Sequence, residues 1–118
     1  MTTKQIGDFG EDAACRFLES KGMKIIKRNF RERGGEIDII ANDRGTVVFA
    51  EVKTRISRVY GEPSEFVDCK KQKKIIKTAI RYLGRDDLDM RFDVVEVMYA
   101  KRGEEPFVTE INHIEGAF

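Results

Sequence analysis

A segment with a helical period stands between two strand-like runs, and this constrains the fold more than any other feature of the chain. Residues 67–83 repeat apolar side chains three and four apart at Ile75, Ile76, Ala79, Ile80 and Leu83, and Gly84 follows as a stop. Before this segment lies Thr46–Thr54, with a loop around Gly61 and Pro63 between them; after it comes Phe92–Tyr99. Both flanking runs are β-branched and apolar. A helix joining two strands can act as a crossover, so the sheet is expected to be mixed. The remaining runs are joined by turns. They are Met23–Phe30, a Gly34-Gly35 turn, Ile37–Ala41, a four-residue hairpin loop Asn42–Gly45, and a Lys101–Gly103 turn leading into Phe107–Ile114. An earlier helix over Gln5–Lys21 repeats Ile6, Gly10, Ala13, Ala14, Phe17 and Leu18 and stops at Gly22. The order αβββαββ predicts an α/β fold, a mixed sheet flanked by helices, with residues 1–118 forming a single domain.

Several classes are excluded by composition. Cys15 and Cys69 have no C-x-x-C spacing, and the single histidine, His113, cannot complete a zinc site with them. No apolar leader opens the chain and no apolar run is long enough to span a bilayer, so the expectation is a cytoplasmic protein without a membrane partner. With 22 Lys+Arg against 21 Asp+Glu, the net charge of +1 gives no general attraction for nucleic acid.

Charged side chains planted in otherwise buried strands need a partner or a metal. Asp38 sits within Glu36-Ile37-Asp38-Ile39-Ile40, and Glu51 and Lys53 sit within Phe49-Ala50-Glu51-Val52-Lys53. Alternation along a strand puts Glu51 and Lys53 on one face. If the hairpin loop pairs Ala41 with Thr46, Asp38 lies opposite Phe49, on that same face and diagonal to Glu51. Two carboxylates so placed suit a hard, oxygen-ligated cation, Mg²⁺ or Mn²⁺. Lys53 beside it can orient water and neutralise charge developing on a phosphate. Glu11, on the flank of the first helix's apolar stripe, is a third candidate ligand, and Glu36 shares the parity of Asp38. The plainer alternative for such a D…ExK spacing is a solvated sheet face of ion pairs. Placement of both acids in consecutive strands of one hairpin favours the site.

The near-zero net charge hides segregation. Residues 1–20, 21–81 and 82–118 carry −2, +8 and −5. Lys70, Lys74, Lys77 and Arg81 form an acid-free stripe on the second helix, opposite its apolar face. A second basic group, Lys24, Lys27, Arg28, Arg31 and Arg33, lies on the first strand and its turn. Both are expected phosphate contacts. Lys71 differs from the stripe because it flanks the core side near Ile75 and Tyr82, within reach of the acidic face.

Over nearly its whole length the chain resembles the YraN-like family of small bacterial proteins, part of the PD-(D/E)XK nuclease-like superfamily and similar to archaeal Holliday junction resolvases. The blocks that carry the resemblance are Gly7–Ala14, Gly35–Ala41, Phe49–Arg55, Lys71–Leu83, Arg91–Val95 and the terminal Ala117-Phe118. The resemblance implies a restriction-endonuclease-like core with Asp38, Glu51 and Lys53 on catalytic positions and Glu11 on the helix-one acid of the resolvase branch. Ile37, not proline, precedes Asp38. Asp93 and Arg91 read as supporting residues, and Arg55 joins the expected backbone contacts. The function expected is metal-dependent hydrolysis of DNA, branched or junction DNA above all, with Asp38, Glu51 and Glu11 as metal ligands. A nucleic-acid-binding module without turnover is the alternative. Resolving a symmetric junction requires two active sites and hence a homodimer.

Overall fold

The computed structural model describes residues 1–57 and 67–118, so the loop expected around Gly61 and Pro63 lies outside the described residues. Two helices, α1 (Thr3–Ser20) and α2 (Cys69–Leu83), flank five strands: β1 (Lys24–Glu32), β2 (Gly35–Asp43), β3 (Thr46–Ile56), β4 (Met90–Arg102) and β5 (Glu105–Ile114). The strands lie side by side in chain order. Only β3 and β4, the pair separated by α2, run parallel. The fold is thus the predicted mixed α/β arrangement, in the order αβββαββ, and it is compatible with a restriction-endonuclease-like core.

Helix starts are set by caps. Thr2 and Gln5 form a capping box, which begins α1 two residues earlier than the apolar period indicates. Asp68 caps α2 by accepting the Lys71 N–H at 2.8 Å. Each helix covers one sheet face. Ala13, Ala14 and Leu18 of α1 pack on Ile39, Ala41, Val48, Ala50, Val95 and Val97. On the other face Ile75 and Ala79 of α2 pack on Ile40, Phe49, Phe92 and Val94. Gly10 lets α1 approach β3 closely, since a Cβ there would stand 1.8 Å from the Thr54 hydroxyl. At the chain end Phe118 stacks on Phe92, with ring centroids 5.3 Å apart, and closes the α2-side core.

Two local features differ from the sequence reading. The β2–β3 loop has two residues, not four. Asp43 pairs with Thr46 across Arg44 (φ 53°) and Gly45 (φ 96°), and Asn42 Oδ1 accepts the Gly45 N–H at 2.9 Å. The register is therefore shifted by two from the expected one: Ala41 pairs with Val48, and Asp38 falls in line with Glu51 instead of Phe49. A shift of two leaves every side chain on its face. The second difference is a reversal of facing. Ile37 belongs to the α2-side core and Ile39 to the α1-side core, although alternation would put them together. Asn29, flanked by the pairs Arg28–Ile39 and Phe30–Ile37, sits at φ 51°, a left-handed conformation that asparagine tolerates. Both strands flip here, across Asn29 and Asp38.

Candidate active site

The flip positions the acids. Ladder pairing between β2 and β3 runs only from Asp43–Thr46 to Ile39–Ala50. Beyond it the Val52 N–H, left without a β2 carbonyl, donates to Asp38 Oδ2 at 2.8 Å. Asp38 thus sits in a break between the strands. Burial raises its pKa first; the negative charge of Glu51 raises it further, and the Val52 N–H offsets only part of this, so the group is pushed up to about 7. Glu51 is buried on β3 and accepts the Lys71 ammonium at 2.5 Å on Oε1. Lys71 is held charged: burial alone would lower its pKa, but the hydrogen bond to Glu51 and the charges of Glu51, Asp38 and Glu36 raise it.

Glu11 reaches the same neighbourhood from the α1 layer. Its charge contributes to the raised pKa of Asp38. Its own pKa is raised by burial, against the opposing effect of Arg28. Glu11 Oε1 is buried with no hydrogen-bond partner among the described residues; Arg28 Nε lies 3.7 Å away. Lys53 shares the strand parity of Glu51 and pairs in register with Glu96 of β4, and it makes no ion pair with any described residue.

Three observations suit a divalent cation: the orphaned buried Glu11 oxygen, the Asp38 carboxyl driven toward protonation by burial and by the charge of Glu51, and the Lys71 ammonium seated where a metal would neutralise Glu51. Among the described residues no three acidic, histidine or cysteine side chains converge into a complete ligand set. Mg²⁺ does not need one, because it commonly takes one or two carboxylates and fills its remaining positions with water and substrate phosphate. Asp38 and Glu51 are the two carboxylates that stand together at the break, with Glu11 farther off and facing Arg28.

The sequence profile described as "Uncharacterised protein family UPF0102" matches residues 10–97, a span that contains Glu11, Asp38, Glu51, Lys53 and Lys71. The chain belongs to the UPF0102 family. It is 46% identical over 120 residues to the UPF0102 protein of Alkaliphilus oremlandii, covering 98% of each chain. Against the UPF0102 proteins of Caldicellulosiruptor bescii and Clostridioides difficile it is 48% and 44% identical, with all of both chains covered. The resemblance read from the sequence blocks is thereby established at the level of the family.

In this UPF0102 protein the basic residues divide into two groups. Lys70, Lys74 and Lys77 are exposed and have no ion pair with any described residue. Four arginines are engaged: Arg28 with Asp12 at 2.7 Å, Arg31 with Glu36 at 3.4 Å, Arg55 with Glu96 at 3.5 Å, and Arg81 with Glu32 at 3.1 Å. A groove of about 620 Å³ runs between α2 and the β1–β2 turn, lined among others by Arg31, Gly35, Glu36, Lys70, Lys71 and Lys74. Lys71 belongs to both the groove and the acidic pair. No helix is long and apolar enough to cross a membrane among the described residues.

Two features escaped the sequence reading. The role of Asn29 in turning Asp38 into the break had one available signal, the tolerance of asparagine for positive φ. A buried network on β4 and β5 was not foreseen either. Asp93 accepts both Arg91 Nε (2.9 Å) and Nη2 (3.0 Å), together with His113 Nε2 (2.7 Å) and the Gly116 N–H (3.0 Å). Lys21 Nζ lies 2.8 Å from His113 Nδ1. An ammonium can only donate, so Nδ1 accepts and Nε2 carries the proton given to Asp93. Arg91 and Asp93 therefore support the fold, as their sequence block suggested.

Proposed function

We propose that the protein is a metal-dependent endonuclease hydrolysing phosphodiester bonds in DNA, with branched or junction DNA as substrate. The observation that carries this reading is the meeting of Asp38 and Glu51 at the break between β2 and β3, with Lys53 two residues along β3 and a groove lined by Lys70, Lys71 and Lys74 beside them. Asp38 and Glu51 would hold Mg²⁺ or Mn²⁺, assisted by Glu11. Such an ion, when bound, polarises the phosphate and acidifies water. Lys53 orients the attacking water and neutralises charge growing on the phosphate oxygens, in a setting partly withdrawn from solvent where such charges act strongly. Lys70, Lys74 and Lys77 hold the sugar-phosphate backbone along the outer face of α2, and Arg31 faces them across the groove. These are sequence-independent contacts whose strength falls steeply with salt. Action on a symmetric junction needs two such sites, and so a pair of chains.

The test is cleavage of a panel of branched, nicked, flapped and linear DNAs with Mn²⁺, by wild type and by Lys53→Ala. Wild type is expected to cut at least one substrate, and Lys53→Ala to cut it roughly 10²-fold more slowly. A panel left equally intact by both proteins ends the enzyme reading. Salt-sensitive DNA binding in the same samples would then identify a binding module.

A further inference from the structure

Glu51 already has a cation. Lys71 reaches over from the first turn of α2 and places Nζ 2.5 Å from Glu51 Oε1. The Glu51 side chain is only 10% exposed, whereas that of Lys71 is 46% exposed. The ammonium thus stops the one carboxylate oxygen while its stem remains free along the groove wall. Its backbone is fixed by the Asp68 cap, so movement of the head group requires only side-chain rotation about a four-carbon stem. Neighbouring Lys70 and Lys74 line the same groove without an acidic partner among the described residues. Lys71 is the lysine of this lining that reaches Glu51.

We infer that Lys71 is a tethered counter-cation, which occupies Glu51 until a divalent ion takes the carboxylate pair and then turns into the groove to bind a backbone phosphate. The inference rests on the proposed metal-holding role of Asp38 and Glu51. A +1 charge left at Glu51 would repel an arriving +2 ion, so Lys71 and the ion exclude each other there. Release of Lys71 adds a positive charge to the groove only when the carboxylates are filled. Metal and nucleic acid therefore bind with positive coupling, each tightening the other by the same factor.

The decisive measurement is Mn²⁺ affinity in the absence of nucleic acid, by calorimetry and by the electron paramagnetic resonance of free Mn²⁺, for wild type, Lys71→Gln and Lys70→Gln. Lys71→Gln is expected to bind Mn²⁺ roughly tenfold more tightly than wild type, and Lys70→Gln to match wild type. Equal or weaker binding by Lys71→Gln, with wild type binding, overturns the tethered-cation role and leaves the metal site standing. Absence of Mn²⁺ binding in all three proteins overturns both. A second readout follows the side chain itself: reductive ¹³C-methylation keeps the lysine charge, and the Lys71 methyl resonance, assigned by its loss in Lys71→Gln, should move toward those of exposed lysines on Mg²⁺ titration. A Lys71 resonance that stays in place while Mg²⁺ binds refutes the displacement.

Discussion

Replacing Asp93 with asparagine removes one charge and little volume from a carboxylate that is completely buried and accepts four hydrogen bonds. Burial alone would raise its pKa. The donors His113, Arg91 and the Gly116 N–H outweigh burial and hold it down at about 2. At 1.36 kcal/mol per pKa unit, a fall from 3.8 to about 2 makes the ionised form worth about 2.5 kcal/mol to the folded state at neutral pH. Asparagine also turns an NH₂ toward donors that cannot accept it, and it strands the Arg91 charge against Asp43 alone. Breaking a buried pair in this way costs ~3–5 kcal/mol, a large part of the ~5–15 kcal/mol that keeps a domain folded. Urea unfolding of wild type and Asp93→Asn between pH 7 and pH 3 checks both magnitude and sign. Because the native pKa is depressed, the stabilisation is complete above about pH 4 and is lost as pH falls toward 2. The gap between the two proteins should narrow by about 1 kcal/mol between pH 6 and pH 3. A gap below about 1 kcal/mol at pH 7, or one that does not narrow on acidification, would refute the assignment of stability to this network.

Asp38 carries the opposite sign. Its pKa is raised to about 7, so wild-type stability should fall as pH rises from about 4 to about 7, and Asp38→Asn, which can still accept the Val52 N–H, should be the more stable protein at pH 8; chemical denaturation at pH 4 and pH 8 distinguishes this from a pH-independent difference. Gly10→Ala should cost ~1–3 kcal/mol by forcing α1 off Thr54, measured as a lowered urea midpoint with an unchanged slope, and Thr54→Ala in the same chain should recover part of the loss.

The crossover topology was legible because it depends on an order of periods: Val67–Leu83 is helical and its neighbours are not. The facing of the site was also legible, even though the hairpin register was displaced by two. Asn42-Asp43-Arg44-Gly45 reads as four loop residues, but Asn42 and Asp43 stay in the strand while Arg44 takes a positive φ that its residue type does not advertise. Parity survives such a displacement, so the wrong register still put Asp38 on the face of Glu51, the carboxylate that acts on it in the structure. What strand alternation could not supply was the break itself. Ile37-Asp38-Ile39 looks like uninterrupted alternation, and only three-dimensional packing assigns the two isoleucines to different cores. Nor could sequence assign Lys71 to Glu51, because the partner choice of a side chain on the flank of a helix depends on how that helix is rotated over the sheet.

The flip at Asn29 and Asp38 also has a mechanical consequence. Glu51 and Lys53 ride on a strand held against β4 by an unbroken ladder from Val47–Met90 to Ile56–Tyr99. Asp38 rides on the β1–β2 ribbon, which has left β3 beyond Ile39 and is moored there by the Val52 N–H. The two acids are thus set by different scaffolds: the β3–β4 ladder fixes Glu51 and Lys53, whereas Asp38 takes its place from the Val52 N–H and from the packing of Ile37 and Phe30 against the α2-side core.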